Sequence, residues 1–193
     1  KGQFASCPLE EVYLGRNIKY LENNTYLFEN NPHVYGYSAF YNQSKLTKVT
    51  ISKSVTDIPS FLFKGCKNLE TLKISGSLVK IPEHAFDGCN ISSLILPNSV
   101  ETISDYAFAN NVALKSANIG TAVKIIGNNA FSGCTVLADI TLGTSLLSIG
   151  NEAFMSVGSL ATSWNSLVFP ESLTSIGNKA FYGSGVTNVT LPN

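Results

Sequence analysis

A phenylalanine recurs along this chain at nearly constant intervals, and the interval constrains the fold more than any other feature. The seven clear copies are separated by 23, 23, 22, 23, 23 and 27 residues, at Phe40, Phe63, Phe86, Phe108, Phe131, Phe154 and Phe181. An eighth, degenerate copy opens at Phe4. Periods of about 20 to 50 residues are typical of repeat architectures. Because one coil of this length cannot bury its inward side chains alone, its stability depends on stacked neighbours.

The remaining apolar residues fall into columns at fixed offsets from each phenylalanine. In the copy after Phe63 they are Leu69, Leu72, Ile74, Leu78 and Ile81. The first three form an L-x-x-L-x-L run, whose end alternates apolar and polar residues as a short strand does. The last two return along the opposite wall. Most copies then have glycine or proline, which indicates a tight bend. The sequence therefore predicts a solenoid with one parallel β-sheet face and short turns or 3-10 segments opposite.

The repeated string V-x-x-I-x-x-x-A-F-x-x-C-x-x-L-x-x-I-x-L-P resembles the BspA-type leucine-rich repeat. It is seen here as VETISDYAFANNVALKSANI from Val100 and as LLSIGNEAF from Leu146. The resemblance implies a right-handed leucine-rich-repeat solenoid, here of about eight coils of 22–23 residues. That family consists of bacterial and protist modules that are secreted or displayed on surfaces and that adhere to host proteins or other microbes. It implies no catalytic residues.

Length and composition bound the other possibilities. The chain has 193 residues and 44% apolar content, enough for one solenoid domain over 1–193, with insertions near 21–39 and 161–166. Its formal net charge is zero and only 13% of residues are charged, so no basic surface predicts nucleic-acid binding. Apolar runs are too short for membrane insertion. The first residue is Lys1 and not an initiator methionine, so we expect a leader or anchor to be absent from this chain, while the family resemblance implies an extracellular or cell-surface protein.

The four cysteines share one place in the repeat, three residues after a column phenylalanine, at Cys7, Cys66, Cys89 and Cys134. This placement favours buried free thiols that fill the core. Cys66 and Cys89 belong to neighbouring coils, so they are the one pair that the period could bring within bonding range. Histidine is scarce and no C-x-x-C spacing occurs, so we expect neither a zinc site nor a cofactor.

Alternate residues between the buried leucines should face outward on the sheet and offer a surface to a partner. The candidates in the central outward row are Tyr13, Thr50, Lys73, Ile95, Asn118, Thr141 and Val168. Further candidates are aromatic residues of the two insertions, at Tyr26, Tyr35, Tyr37 and Trp164. Tyrosine and tryptophan supply much of the energy at recognition surfaces. The alternatives are a merely solvated sheet, a first insertion that caps the solenoid end, and a tryptophan folded onto its flank.

No arrangement of residues predicts catalysis. Neither His33 nor His84 has a suitable partner at a motif spacing, and there is no G-x-S-x-G elbow or calcium-loop pattern. The favoured function is a non-catalytic module that binds host or microbial surface proteins. The alternatives are a structural spacer that presents another domain and a glycan-binding module. Residues 187–191 form a last strand without a polar cap, which predicts end-to-end self-association.

Overall fold

The computed structural model describes residues 4, 7–17, 39–160 and 166–191. These residues form a β-solenoid whose strand pairs are all parallel. The predicted fold class is confirmed. In the described ranges six turns are complete, each with a front and a back segment, and partial turns flank them. The count is therefore somewhat lower than the eight coils predicted.

The front wall is built from the strands that the L-x-x-L-x-L run predicted. They are β1 (Glu11–Leu14), β2 (Lys48–Ile51), β3 (Thr71–Ile74), β5 (Ser93–Ile95), β7 (Ser116–Asn118), β9 (Asp139–Thr141), β11 (Leu167–Val168) and β13 (Val189–Thr190). They pair into three ladders, β1–β2–β3, β5–β7–β9 and β11–β13. Side chains alternate along each strand, as in β2, where Val49 and Ile51 are buried and Lys48 is exposed.

The back wall is more regular than predicted. It contains the two-residue strands β4 (Lys80–Ile81), β6 (Thr102–Ile103), β8 (Ile125–Ile126), β10 (Ser148–Ile149) and β12 (Ser175–Ile176). They form one continuous five-stranded ladder where the sequence predicted turns or 3-10 segments. Coils that stack in register place these short extended segments side by side, so their backbone groups pair between coils.

The phenylalanine column forms a continuous stack at the turn between the two walls. Neighbouring rings from Phe4 to Phe181 lie 5.1–5.6 Å apart between centroids and are tilted by 2–15°. From Phe63 to Phe131 the rings are fully buried. The backbone is paired here as well, because the Phe108 N–H donates to the Ala130 carbonyl at 2.8 Å and neighbouring coils repeat this bond. The phenylalanines therefore fill the core, as predicted.

Two columns of left-handed backbone flank the phenylalanine stack. Two residues before the ring, φ lies between 53° and 61° in six successive coils, at Phe61, His84, Tyr106, Asn129, Glu152 and Lys179. Two residues after the ring the chain is again left-handed, and this position is a glycine in some coils, such as Gly65, and an asparagine in others, such as Asn110. These conformations reverse the chain direction around the phenylalanine. Non-glycine residues adopt them at a cost of about 1–2 kcal/mol each, which the bonds between coils offset.

Candidate functional site

The predicted outward row of the front wall is present in the structure. The strand register brings Tyr13, Thr50 and Lys73 side by side on β1, β2 and β3. It also aligns Ile95 with Asn118 and Thr141 on the next ladder and pairs Val168 with Thr190 on the last. All seven candidates in the described part of this row point away from the core, and Thr50 is half-buried while the other six are exposed. We call this row the front surface.

Large apolar side chains stand out on the front surface. Tyr13 and Ile95 each have 71% of their surface exposed, and Val168 has 62%. One ion pair, Lys48 Nζ to Glu11 Oε2 at 2.9 Å, lies beside Tyr13 in the flanking row. Exposed apolar groups on rigid strands can be buried by a partner without the loss of much conformational freedom. The front surface therefore presents large exposed apolar groups on paired strands.

The aromatic candidates of the insertions are not placed. Tyr26, Tyr35, Tyr37 and Trp164 lie outside the described residues. Whether the first insertion caps the solenoid or binds a partner stays a prediction.

The column three residues after each phenylalanine is a ladder of hydrogen-bond donors. Its side chains donate to the main-chain carbonyl of the phenylalanine one coil earlier, at 2.7–3.3 Å. The pairs are Gln43 to Phe4, Cys66 to Phe40, Cys89 to Phe63, Asn111 to Phe86 and Cys134 to Phe108. The cysteines of this column therefore satisfy buried carbonyl groups in addition to filling space.

The thiols of the core are free and buried, as predicted, at Cys66, Cys89 and Cys134. Cys7 is also free but exposed, which corrects the prediction for that residue. In the described residues no coil covers Cys7 from the far side. Burial raises the pKa of Cys66 and of Cys134 to about 12, and it raises that of Cys89 well above its ordinary value. These thiols stay protonated at neutral pH, so they are poor nucleophiles.

A charged cluster at the corner between the back wall and the phenylalanine turn was not predicted. Asp87 Oδ2 accepts from Lys64 Nζ and lies 2.8 Å from both that atom and His84 Nδ1. Asp87 Oδ1 accepts from Asn110 Nδ2 at 3.0 Å. Burial raises the pKa of Asp87, but the hydrogen bonds from His84, Lys64 and Asn110 outweigh it, so the pKa lies below its ordinary value. Both carboxylate oxygens are thus engaged in holding neighbouring coils together.

The His84 ring is part of a second, outer aromatic stack. It lies 4.9 Å from the Phe61 ring and 4.6 Å from the Tyr106 ring, which is 37% exposed. From the sequence, His84 was considered only as a possible catalytic residue, and neither of its ring contacts was predicted. The sequence did contain a signal for the Lys64–Asp87 ion pair, because each of these residues follows a column phenylalanine by one position. Opposite charges at one position of adjacent coils predict an ion pair.

Two further observations bear on function. The described residues contain no group of three or more histidine, cysteine, aspartate or glutamate side chains that could hold a metal ion. Across the same ranges, no helix has the length and apolar character needed to cross a membrane.

Comparisons with known proteins agree with this architecture. The model of the BspA type leucine-rich repeat region matches residues 33–161 and 160–193, in six copies. A leucine-rich cell surface protein from Faecalibacterium prausnitzii is similar at 28% identity and TM-score 0.64, over 78% of this chain and 41% of that chain. A leucine-rich repeat protein from Bacteroides ovatus is similar at 26% identity and TM-score 0.59, over 82% of this chain and 46% of that one.

A third solved structure supports the fold alone. The leucine-rich repeat protein of T. pallidum is 21% identical, with TM-score 0.59, over 96% of this chain and 68% of that chain. A comparison with curated proteins found no match. The chain spans less than half the length of the Faecalibacterium and Bacteroides proteins. Since the repeat model matches residues 33–193, well over half of the sequence, this chain belongs to the BspA-type leucine-rich repeat family.

Proposed function

We propose that this chain is a non-catalytic interaction module of an extracellular or cell-surface protein, and that it binds a host or microbial surface protein through the front surface. The observation that carries the proposal is the exposure of Tyr13, Ile95 and Val168 on rigid parallel strands. A leucine-rich repeat family supports a protein-interaction or surface role in general. The binding target and the adhesive role are the parts that we propose.

The chemistry of the front surface favours a protein partner. Tyr13 brings apolar area with a hydroxyl group, and Ile95 and Lys73 occupy the same outward row on adjacent coils. Mixed apolar and hydrogen-bonding side chains are typical of the anchors at protein interfaces. The similar Faecalibacterium protein is a cell surface protein, which supports the proposed location.

A double variant of the front surface tests the proposal. Lys73→Ser with Ile95→Ser removes one cation and one large apolar group that are both exposed. We expect binding to immobilised extracellular-matrix proteins or intact microbial cells to be saturable, and to weaken about 10-fold to 100-fold in the variant. Biolayer interferometry measures the affinity, and the thermal midpoint checks that the fold is retained.

The matched control removes the same residue types from the back wall. Lys124→Ser with Leu147→Ser changes one exposed lysine and one leucine that is 44% exposed. The Lys124–Glu101 ion pair lost in this variant is exposed and contributes little. Binding that survives the front variant, or that is lost equally in the back variant, contradicts the front surface as the site. If none of the matrix proteins or microbial cells binds saturably, the result favours the alternative that this chain is a structural spacer.

End-to-end self-association stays a prediction. In the described residues, β13 pairs with β11 on one side, and Val189 and Leu191 are 51% and 64% exposed. A light-scattering mass that rises with protein concentration would support association. A constant monomer mass at high concentration would contradict it.

A further inference from the structure

Charge is distributed unevenly along the solenoid. Residues 1–80 contain ten of the thirteen lysine and arginine residues but six of the thirteen acidic residues. Residues 81–193 contain the other three cationic and seven acidic residues. The formal net charge of zero therefore combines an excess of four positive charges in the first part with an excess of four negative charges in the second. An asymmetry of this kind bears on association with charged partners and not on the fold.

Six exposed cations surround the first front ladder, β1–β2–β3. Two lie on its strands, two in the turns that lead into the strands, and two directly after the strands. In that order they are Lys48, Lys73, Lys45, Lys67, Arg16 and Lys53. We call these six residues the cationic patch. Strands of four residues are about 13 Å long and lie about 4.8 Å apart, so one extended segment of a partner can cross the whole patch.

The cationic patch is only partly neutralised by its own neighbours. Among the described residues it makes one ion pair, from Lys48 Nζ to Glu11 Oε2, and its other five side chains make none. Glu10 and Glu70 are the other acidic residues in these front segments, so the patch keeps three excess positive charges. Like charges that lie together repel one another, and carboxylates of a partner would remove this repulsion.

The rest of the front wall has a different character. The front strands from β5 to β13 contain no lysine or arginine and one acidic residue, Asp139. Their exposed large side chains are apolar and include Ile95 and Val168. The charged and apolar parts meet at the break between the ladders of β3 and β5. A partner with one acidic and one apolar region would therefore bind in a single orientation.

The composition of the cationic patch favours carboxylates of a protein over phosphate or sulfate groups. Arginine, whose planar fork suits phosphate recognition, occurs once, at Arg16, and the other five cations are lysines. Glu10, Glu11 and Glu70 interrupt the patch, so a polymer with negative charge on every unit would be repelled at these points. Tyr13 lies among the cations with 71% of its surface exposed and offers apolar area to a protein segment.

We propose that the cationic patch recognises an acidic segment of a protein partner. This inference rests on the proposed function, because it names the chemistry of the partner that the front surface binds. Exposed charges attract over about 10 Å at 0.1 M salt and over about 3 Å at 1 M. Binding through the patch therefore depends on salt, and opposite charges increase the rate of encounter.

The test uses a synthetic peptide in which glutamate and threonine alternate, with a peptide of glutamine and threonine as its neutral match. The isotope-labelled chain is titrated with each peptide and the amide chemical shifts are followed. We expect saturable shifts at residues 10–16, 45–53 and 67–75 with the acidic peptide alone. Its affinity should fall about 10-fold when sodium chloride is raised from about 50 mM to about 500 mM.

A charge-reversal variant removes the patch without touching a strand. Lys45→Glu with Lys53→Glu and Lys67→Glu changes three exposed residues that form no ion pair with a described residue. We expect the affinity for the acidic peptide to fall at least about 10-fold, because the patch then carries excess negative charge. The thermal midpoint checks that the fold is retained, and the salt dependence of the unchanged chain tests the same point without any substitution.

The matched control makes the same change of net charge elsewhere. Lys80→Glu with Lys124→Glu and Lys179→Glu alters exposed residues of the back wall and of the phenylalanine turn. Glutamate already occupies the position of Lys179 in the preceding coil, at Glu152. This variant should keep the affinity for the acidic peptide within about 2-fold, because charges further away than the screening length contribute little.

Four outcomes would overturn the proposal. They are the absence of saturable shifts with the acidic peptide, shifts that map outside the cationic patch, an affinity that salt does not change, and equal losses in the two triple variants. A heparin oligosaccharide with the same number of negative charges as the peptide is a probe of a different class. Tighter binding of that oligosaccharide at the patch would assign it to a sulfated polysaccharide and overturn the protein assignment.

This inference and the proposed function fail separately. Binding of a matrix protein or of cells that is lost in Lys73→Ser with Ile95→Ser, but is unaffected by salt and by the patch variant, would overturn the acidic partner. The front surface would then remain the binding site. Saturable shifts of the patch with the acidic peptide, with no binding to that panel, would support the acidic chemistry and contradict the proposed targets.

Discussion

The two walls of the solenoid respond differently to irregular repeats. The front strands are divided into three ladders, with breaks between β3 and β5 and between β9 and β11, whereas the back strands form one ladder from β4 to β12. Among the seven clear copies two phenylalanine spacings are irregular, 22 and 27 residues, and they fall in the same two coils as the front breaks. Changes in repeat length that precede a front strand within its coil therefore interrupt the front wall, while the back ladder from β4 to β12 stays continuous.

The position of the length changes explains the difference. One residue is missing between Cys89 and Ile91, and the second insertion lies near 161–166, so both precede a front strand. From the back-wall isoleucine to the next phenylalanine the spacing is five residues in every complete copy, as from Ile81 to Phe86. The Phe86 N–H still bonds to the Ala107 carbonyl at 2.9 Å in the short coil. The back wall and the phenylalanine turn thus keep the coils in register, and the front wall is free to vary.

The largest loss of stability should come from interrupting the buried phenylalanine stack at the turn that keeps the coils in register. Phe108→Ala removes a ring with no exposed surface that lies 5.5 Å from the rings on both sides. We expect a loss of about 4 kcal/mol in the free energy of unfolding, because the cavity cannot close between fixed coils. Urea denaturation measures it.

The control for this variant is Phe4→Ala. Phe4 is 39% exposed and stacks on Phe40 alone among the described rings, so its loss should cost about 1 kcal/mol. Equal losses in the two variants would contradict the central role of the buried stack.

Neutralising Asp87 in the charged cluster should lower the free energy of unfolding slightly less than Phe108→Ala does. Asp87→Asn leaves Lys64 and His84 without the carboxylate that they share, and we expect a loss of about 3 kcal/mol at neutral pH. The folded pKa of Asp87 is lowered, so its contribution is present above its unfolded pKa of about 4 and is lost as the pH falls through the folded value. The difference in unfolding free energy between wild type and variant should therefore shrink below about pH 4.

The exposed residue Asp57 provides the comparison for this pH profile. Asp57→Asn should change stability by less than about 0.5 kcal/mol at neutral pH. A wild-type and Asp87→Asn pair whose difference stays constant from pH 7 to pH 3 would show that the ionised carboxylate is not what stabilises the corner.

At Gly150 the bend of the back wall leaves no room for a side chain. A Cβ atom at Gly150 would lie 2.6 Å from the backbone nitrogen of Asn128 in the preceding coil. Gly150→Ala should lower the free energy of unfolding by about 2 kcal/mol, since backbone atoms have to shift. Gly15→Ala is the control, because its Cβ would meet the Tyr13 ring edge at 3.3 Å and that side chain can move. Similar stability of both variants would show that the coils can separate at the bend.

The sequence predicted the features that every coil repeats. Columns such as Leu69 and Ile81 indicated stacking, and the period of two placed Lys73 and Ile95 on the outer face. The second ladder was missed because two-residue strands such as β4 are too short to show alternation. The corner cluster was missed because the charged residues were considered one at a time, whereas the opposite charges of Lys64 and Asp87 stand out only when the same position is compared between adjacent coils.

Backbone conformation was the least predictable part. Bulky residues such as Phe61 and Tyr106 rarely adopt positive φ, so local preference argues against the turns that they form. These turns exist because hydrogen bonds between coils determine them, as when the Tyr106 N–H donates to the Asn128 carbonyl at 2.9 Å. The register of the whole stack is a long-range property, and no window of one repeat contains it.

Restoring the missing residue of the short coil should have the smallest effect on stability and the clearest effect on the front wall. Inserting a lysine between Cys89 and Asn90 reproduces the Cys-Lys-Asn sequence of residues 66–68. We expect β5 to gain the pairing with β3 that it now lacks, which should stabilise the chain by about 1 kcal/mol. Hydrogen exchange should slow at residues 72–75 and 93–96. The same insertion between Thr135 and Val136, in a coil of regular length, should instead open the front wall between β7 and β9. Unchanged exchange in both variants would contradict the link between repeat length and front-wall pairing.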